Sequence, residues 1–295
     1  MQSTCTTSRT WRPSPSDSNE YRRIKNAAKE LERKALGLCR QCPEHMSALR
    51  LVSGMDTNIV SGIDVSLVQT VDSYQKIRDA GYRFLIAKAT ESEHYVDPKM
   101  VTHINGANSV GMLTGVYAFA LPDESPDDDV DGLMNSIKPL EARQPLDFPA
   151  TLDIESRNNR TPKQILVWAR RWCELYQQRD RLNRRPLIYT SIGYWNLLVD
   201  EEPELATDPF WLEHILWVAH YTSAQKPLIP SPWSRQGWGQ PRGARIWQWA
   251  ASDPRGPLGK VPGIHGLVDL DRFAGCYDDL RTLMGLEVAT STLAG

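Results

Sequence analysis

The chain has 295 residues, 41% of them hydrophobic and 24% charged, with a formal net charge of −2. That length suits one large α/β domain with an appendage, and the composition is that of a globular protein. No run of about 18 apolar residues is present, so no membrane span is expected, and five cysteines in so long a chain do not make a disulfide framework.

Residues 1–17 are polar, contain Pro13 and Pro15, and read as a disordered tail. From Ser18 to about Leu38, Tyr21, Ile24, Ala28, Leu31 and Leu36 recur at helical spacing among Lys, Arg and Glu, and Gly37 marks the helix end. Cys39, Cys42 and His45 follow with zinc-type donors. A second pair at the usual downstream spacing is missing, so free thiols are the preferred reading and no metal or cofactor is expected. Residues 1–58 carry ten Lys and Arg against six Asp and Glu, and the rest of the chain 24 against 30. Such mild asymmetry argues against nucleic acid as a partner of the main domain. Met1 to Arg9 lack the apolar core of a secretory signal, so synthesis in the cytoplasm is expected.

From Gly62 onward short strand-like runs alternate with helical stretches. Expected strands are 62–66, 84–90, 115–120, 150–155, 186–190, 215–221, 245–249 and 266–269. Expected helices are 70–80, 98–110, 127–137, 162–179 and 193–198. The fourth helix is the clearest, with Thr161 as N-cap, Pro162 at its first position, and Ile165, Trp168, Trp172 and Leu175 on one stripe. That stripe reads as core rather than as a sugar platform. Strand–helix alternation predicts a parallel sheet, and eight strands point to closure as a barrel. Residues 222–244, rich in Pro, Gly, Ser and Trp, predict loops in place of the last helices. The predicted architecture is an irregular α/β barrel of the TIM type, with eight strands and fewer helices. It occupies residues 59–285, behind a basic helical head (1–58) and before a flexible tail (286–295).

Asp153 and Glu155 sit two residues apart at the end of an apolar run. In a strand, residues i and i+2 share a face, so both acids are aimed at one point while Ile154 faces away. Two carboxyls held together do not both ionise freely, and one tends to keep a proton near neutral pH. Glycosidic bond cleavage needs such a proton donor beside a charged partner. Barrel active groups collect at the carboxyl ends of the strands. Those ends supply Asp64, Glu91, Tyr117, Asp153, Glu155, Tyr189, Trp217, Tyr221, Gln248 and Asp269. Gly-x-Ser-x-Gly and His-Glu-x-x-His are both absent, which removes the commonest serine-hydrolase and zinc-protease readings.

The ordered series Gly62-Ile63-Asp64-Val65-Ser66, Lys88-Ala89-Thr90-Glu91, Tyr95-Val96-Asp97-Pro98, Gly115-Val116-Tyr117, Leu152-Asp153-Ile154-Glu155, Tyr189-Thr190, Trp217-Val218-Ala219, Ile246-Trp247-Gln248 and Gly266-Leu267-Val268-Asp269 resembles the family 25 glycoside hydrolases, the Chalaropsis-type lysozymes. The resemblance spans roughly Gly62 to Leu283. It implies an irregular barrel and cleavage of the β-1,4 bond between N-acetylmuramic acid and N-acetylglucosamine in peptidoglycan. By that match Glu155 is the proton donor and Asp153 its charged partner, with Asp64 and Asp269 completing an acidic floor. By the same match Tyr117, Tyr189 and Gln248 position the sugar; Glu91, Trp217 and Tyr221 are expected to bind it from their place at the strand ends. The chain departs from the family at Ala118, where His is usual, and at Ser92, where Gly is usual. Neighbours at i and i+2 on one strand do not flank a bond as a nucleophile–acid pair (roughly 5–5.5 Å apart) or an inverting pair (roughly 6.5–9.5 Å) does. Retention with the substrate acetamide as nucleophile is therefore expected. A phage endolysin or virion lysozyme acting on the bacterial wall fits the missing signal, with a virion or lysis-machinery partner docking on residues 1–58. The alternative is a non-catalytic glycan-binding or virion structural protein that retains the barrel.

Overall fold

The computed structural model describes residues 59–251 and 259–286. The expected helix at 18–38, the donors Cys39, Cys42 and His45, and the tail beyond Leu286 lie outside the described residues. In chain order the elements are β1 (Ile59–Val65), β2 (Thr70–Val71), α1 (Tyr74–Asp79), β3 (Tyr82–Glu91), β4 (Tyr95–Val96), α2 (Met100–Ser109), β5 (Leu113–Phe119) and α3 (Pro126–Glu141). Then follow β6 (Thr151–Asp153), α4 (Pro162–Arg179), β7 (Leu187–Ser191), α5 (Ile192–Glu201), α6 (Pro203–Ala206), β8 (Leu216–Ala219), β9 (Ala244–Ala250), β10 (Ile264–His265), β11 (Asp269–Ala274) and α7 (Tyr277–Leu283). Eight strands run in the order β1-β11-β9-β8-β7-β6-β5-β3, and pairing of β1 with β3 closes them into a barrel. Strand β4 hairpins onto β3, and β2 pairs with β10.

Seven barrel strands are parallel, each pair spanned by a crossover that returns the chain to the same end. The eighth corrects the expectation of a wholly parallel sheet, because β11 is antiparallel to both β1 and β9. It begins at the barrel end where β9 finishes, so no crossover helix is needed. The expected strand at 266–269 is corrected with it. Gly266 takes a left-handed φ of 78° in a loop, and the strand starts only at Asp269.

Alternation along each strand sorts the core into two layers. Phe84, Ile86, Phe148, Trp217, Ile246 and Phe273 fill the lumen. Leu85, Ala87, Val116, Ala118, Leu152 and Ile188 face the helices outside. Lumen positions near the base are closely shared: Gly62 and Gly115 leave room for the Phe84 and Phe148 rings, which lie 5.5 Å apart. Helix α4 has the expected bounds and a reciprocal Thr161–Gln164 capping box. Trp168 and Trp172 are both core, as their stripe implied, and Trp172 stacks on Tyr176 at 5.5 Å. The helix layer thins after β8, later than the sequence suggested. A cluster of Trp195, Trp211 and Trp233, with ring centroids 5.2 and 4.9 Å from Trp195, packs beyond it. Much of the tryptophan enrichment is thus core filling.

Candidate active site

The carboxyl ends of the parallel strands form the mouth, and one row of residues crosses it in register. Glu91 on β3 pairs with Phe119 on β5, Phe119 with Asp153 on β6, Asp153 with Tyr189 on β7, and Tyr189 with Trp217 on β8. On the opposite wall Asp64 of β1 pairs with Asp269 of β11. Because β11 runs the other way, Asp269 is at its amino end, and that end is the mouth. Asp271, two residues on, faces the same side and pairs with Gln248 of β9.

Strand β6 ends at Asp153, one step short of Glu155, but the extended path continues. Ile154 donates its N–H to the Tyr189 carbonyl at 2.9 Å and accepts from Thr190 Oγ1 at 2.8 Å. Ile154 is buried in the outer layer, so Asp153 and Glu155 flank it on the lumen side. Glu155 opens to solvent, whereas Asp153 is only 5% exposed and its Oδ1 is buried without a hydrogen-bond partner.

A neutral hub stands across from this pair. Gln248 Nε2 donates to Asp64 Oδ2 at 2.7 Å, while its Oε1 accepts the hydroxyls of Tyr189 at 2.8 Å and Tyr221 at 2.6 Å. Trp217 Nε1 donates to Asp271 Oδ1 at 2.8 Å, and its ring meets Tyr189 edge-on at 4.8 Å. At 1% exposure Trp217 is a support beneath the mouth. Tyr117 and Tyr221 reach the mouth, and Tyr221 is partly open to solvent. Glu91 ion-pairs with Lys88 at 2.5 Å.

Crowded acids in a dry lumen resist ionisation. Burial, then the charges of Asp271 and Asp269, push the Asp64 carboxyl well above its ordinary range. Burial does the same to Asp271, with Asp269 adding to it and the Trp217 hydrogen bond opposing. Asp153 is raised by burial and by Glu155, against the pull of Lys88. Glu155 is raised by partial desolvation at the mouth and then by Asp269. Burial likewise raises Tyr117 and Tyr189, which stay neutral.

Two site residues escaped the sequence reading. Asp271 obeys the same i, i+2 rule that singles out Asp153 and Glu155, but it lies two residues beyond the strand expected at 266–269. Lys88 stands within a recognised motif, and its direction depends on a bulge that no local signal announced. Ala118, which stands where the family usually has His, faces the outer core, opposite Tyr117. Ser92 adopts a left-handed φ of 59°, which is the conformation a Gly there would take without strain.

An eight-stranded β/α barrel with close carboxylates at the carboxyl-end mouth defines the class that glycoside hydrolases use. The model of the glycosyl hydrolases family 25 matches residues 63–255, and the chain belongs to that family. It is 28% identical to the uncharacterized protein YegX of Escherichia coli O6:H1 (strain CFT073) over 208 residues, which is 70% of this chain and 65% of YegX. The chain therefore spans just under two thirds of that relative's length. It is also 28% identical to lysozyme M1 of Streptomyces globisporus over 241 residues, 79% of this chain and 74% of the lysozyme. Among solved structures, the bacterial lysozyme from Streptomyces coelicolor superposes with a TM-score of 0.62 at 25% identity, covering 76% of this chain and 96% of that one.

Proposed function

We propose that this protein is a peptidoglycan hydrolase, an N-acetylmuramidase that cleaves the β-1,4 bond from N-acetylmuramic acid to N-acetylglucosamine. Family membership and the likeness to lysozyme M1 support the substrate class. The observation that carries the chemistry is the unpartnered, buried Oδ1 of Asp153 beside Glu155. An acetamide N–H seated there would supply the missing hydrogen bond and favour the charged form of Asp153.

The same contact turns the acetamide carbonyl toward the anomeric carbon. Glu155 gives its proton to the leaving oxygen as the carbonyl oxygen bonds to that carbon, and Asp153 stabilises the positive charge that spreads over the ring formed. Glu155, now a carboxylate, takes a proton from water, the water oxygen opens the ring, and the product retains its anomeric configuration. Free Asp153 is the drier acid and competes for the shared proton. Substrate covering Glu155 desolvates it and shifts the proton outward to the donor position. Asp64 and Asp269 line the floor, and Tyr117, Tyr189, Tyr221 and Gln248 orient the sugar.

Clearing of cell-wall suspensions by Glu155→Gln should fall at least 10³-fold, and by Asp153→Asn about 10²–10³-fold. Mass spectrometry of the digest should find muramic acid at the new reducing ends. Equal clearing by wild type and Glu155→Gln would overturn the reading, and N-acetylglucosamine reducing ends would change the bond.

A further inference from the structure

Strand β3 breaks its own alternation at the mouth. Lys88 pairs with Tyr117, but Thr90 pairs with Ala118 and Glu91 with Phe119, so one residue is extra between Lys88 and Thr90. A bulge of this kind re-aims side chains. Without it Lys88 and Glu91, three residues apart, would face opposite sides of the sheet. With it both share the lumen face with Tyr117 and Phe119, and the ammonium reaches Glu91 Oε2 at 2.5 Å. The Lys88 side chain is 15% exposed, with Nζ 5.0 Å from the Phe119 ring centroid and 5.6 Å from that of Tyr95.

Burying an ammonium so far is costly unless its charge is used. Glu91 alone does not account for the position, since an exposed pair on the strand edge would serve as well. The register shows what lies beyond: Phe119, under the ammonium, is the direct neighbour of Asp153. We propose that Lys88 is a positioning residue of the site, a cation fixed by the β3 bulge and by Glu91 so that Asp153 carries the negative charge. This rests on the acid–base roles proposed above.

The groups that face Asp153 are Lys88 and Glu91 from β3, Tyr117 from β5, Glu155 from its own strand, Tyr189 from β7 and Asp64 across the mouth. Lys88 is the cation among them, and it draws both Asp153 and Glu155 toward the ionised form. Glu91 acts on Asp153 in the opposite sense.

The test is the pH profile of wall lysis by the full-length chain. In Lys88→Met both limbs should move to higher pH, and lysis on the acid side should fall on the order of tenfold. Lys88→Arg should restore the limbs. Glu91→Gln should move the acid limb the other way, to lower pH. A Lys88→Met profile that drops in height with its limbs unmoved would overturn the proposal, because a merely structural lysine changes height alone. If Lys88→Met does not fold, Lys88→Gln takes its place, and unmoved limbs in that variant overturn the proposal. Glu155→Gln run alongside separates the two ideas: an active Glu155→Gln removes the acid–base roles, whereas an inactive one with unmoved Lys88 limbs removes only the role of Lys88.

Discussion

Gln248 holds Asp64 through one hydrogen bond, Nε2 to Oδ2 at 2.7 Å, and so joins β9 to β1 past the antiparallel strand between them. Its neutrality matters. The amide offers a donor to an acid already crowded by Asp271 and Asp269, and its oxygen takes both phenols. Gln248→Glu keeps the shape and the phenol acceptor but removes the donor and adds another acid. Burial then leaves Asp64 with no bond to its charged form, and Asp64 rises further. Chemical denaturation at pH 7 should show a loss of about 1–3 kcal/mol, together with reduced lysis. Unchanged stability would mean that the bond is dispensable.

Asp129 on α3 is a buried acid outside the mouth. Its Oδ1 accepts from Trp172 Nε1 at 2.8 Å and its Oδ2 has no partner. Burial, helped by the charges of Glu124 and Glu93, raises it from 3.8 to about 6. The folded state therefore holds a proton that the unfolded chain releases at lower pH. Stability from this group is fully present below 3.8 and is lost as pH rises through about 6. Asp129→Asn keeps the acceptor for Trp172 and needs no proton. Its unfolding free energy should exceed wild type by about 2–3 kcal/mol at pH 7 and by little at pH 4. A gain equal at both pH values would point to another cause.

Gly62 lies on the lumen face of β1, two residues before Asp64, and a Cβ there would come within 2.1 Å of the Phe84 ring. Gly62→Ala should cost about 2–3 kcal/mol through overpacking. Thermal unfolding should show the loss, and adding Phe84→Leu should recover part of it by clearing the ring. No recovery would place the strain in the backbone instead.

The elements most legible in the sequence were those whose signals are local. Helix α4 announced both ends through Thr161, Pro162 and its apolar stripe. The parallel strands stood out as short apolar runs between helices, and period-2 alternation around Ile154 put Asp153 and Glu155 on one face. The direction of β11 was not legible. A strand following a loop has the same residue pattern whichever way it runs, and only pairing with β1 and β9 settles it. Asp271 was lost with that strand's bounds. Tryptophan function was equally hidden, because an indole that fills a lumen and one that offers a sugar its face look alike until burial separates them.

Sequence by itself determined the alternating architecture and put Asp64, Asp153 and Glu155 at strand ends, since those follow from residue type and spacing along the chain, and its ordered motifs carried the resemblance to the family. Tertiary structure decided how those acids behave. Closure of β1 on β3 buried Asp64 and Asp153 and raised their proton affinity, the reversal of β11 brought Asp269 and Asp271 against Asp64 and Gln248, and a one-residue bulge set Lys88 against Glu91 at the mouth. Ionisation depends on distance and dielectric between residues far apart in sequence, and those quantities exist only once the barrel is closed.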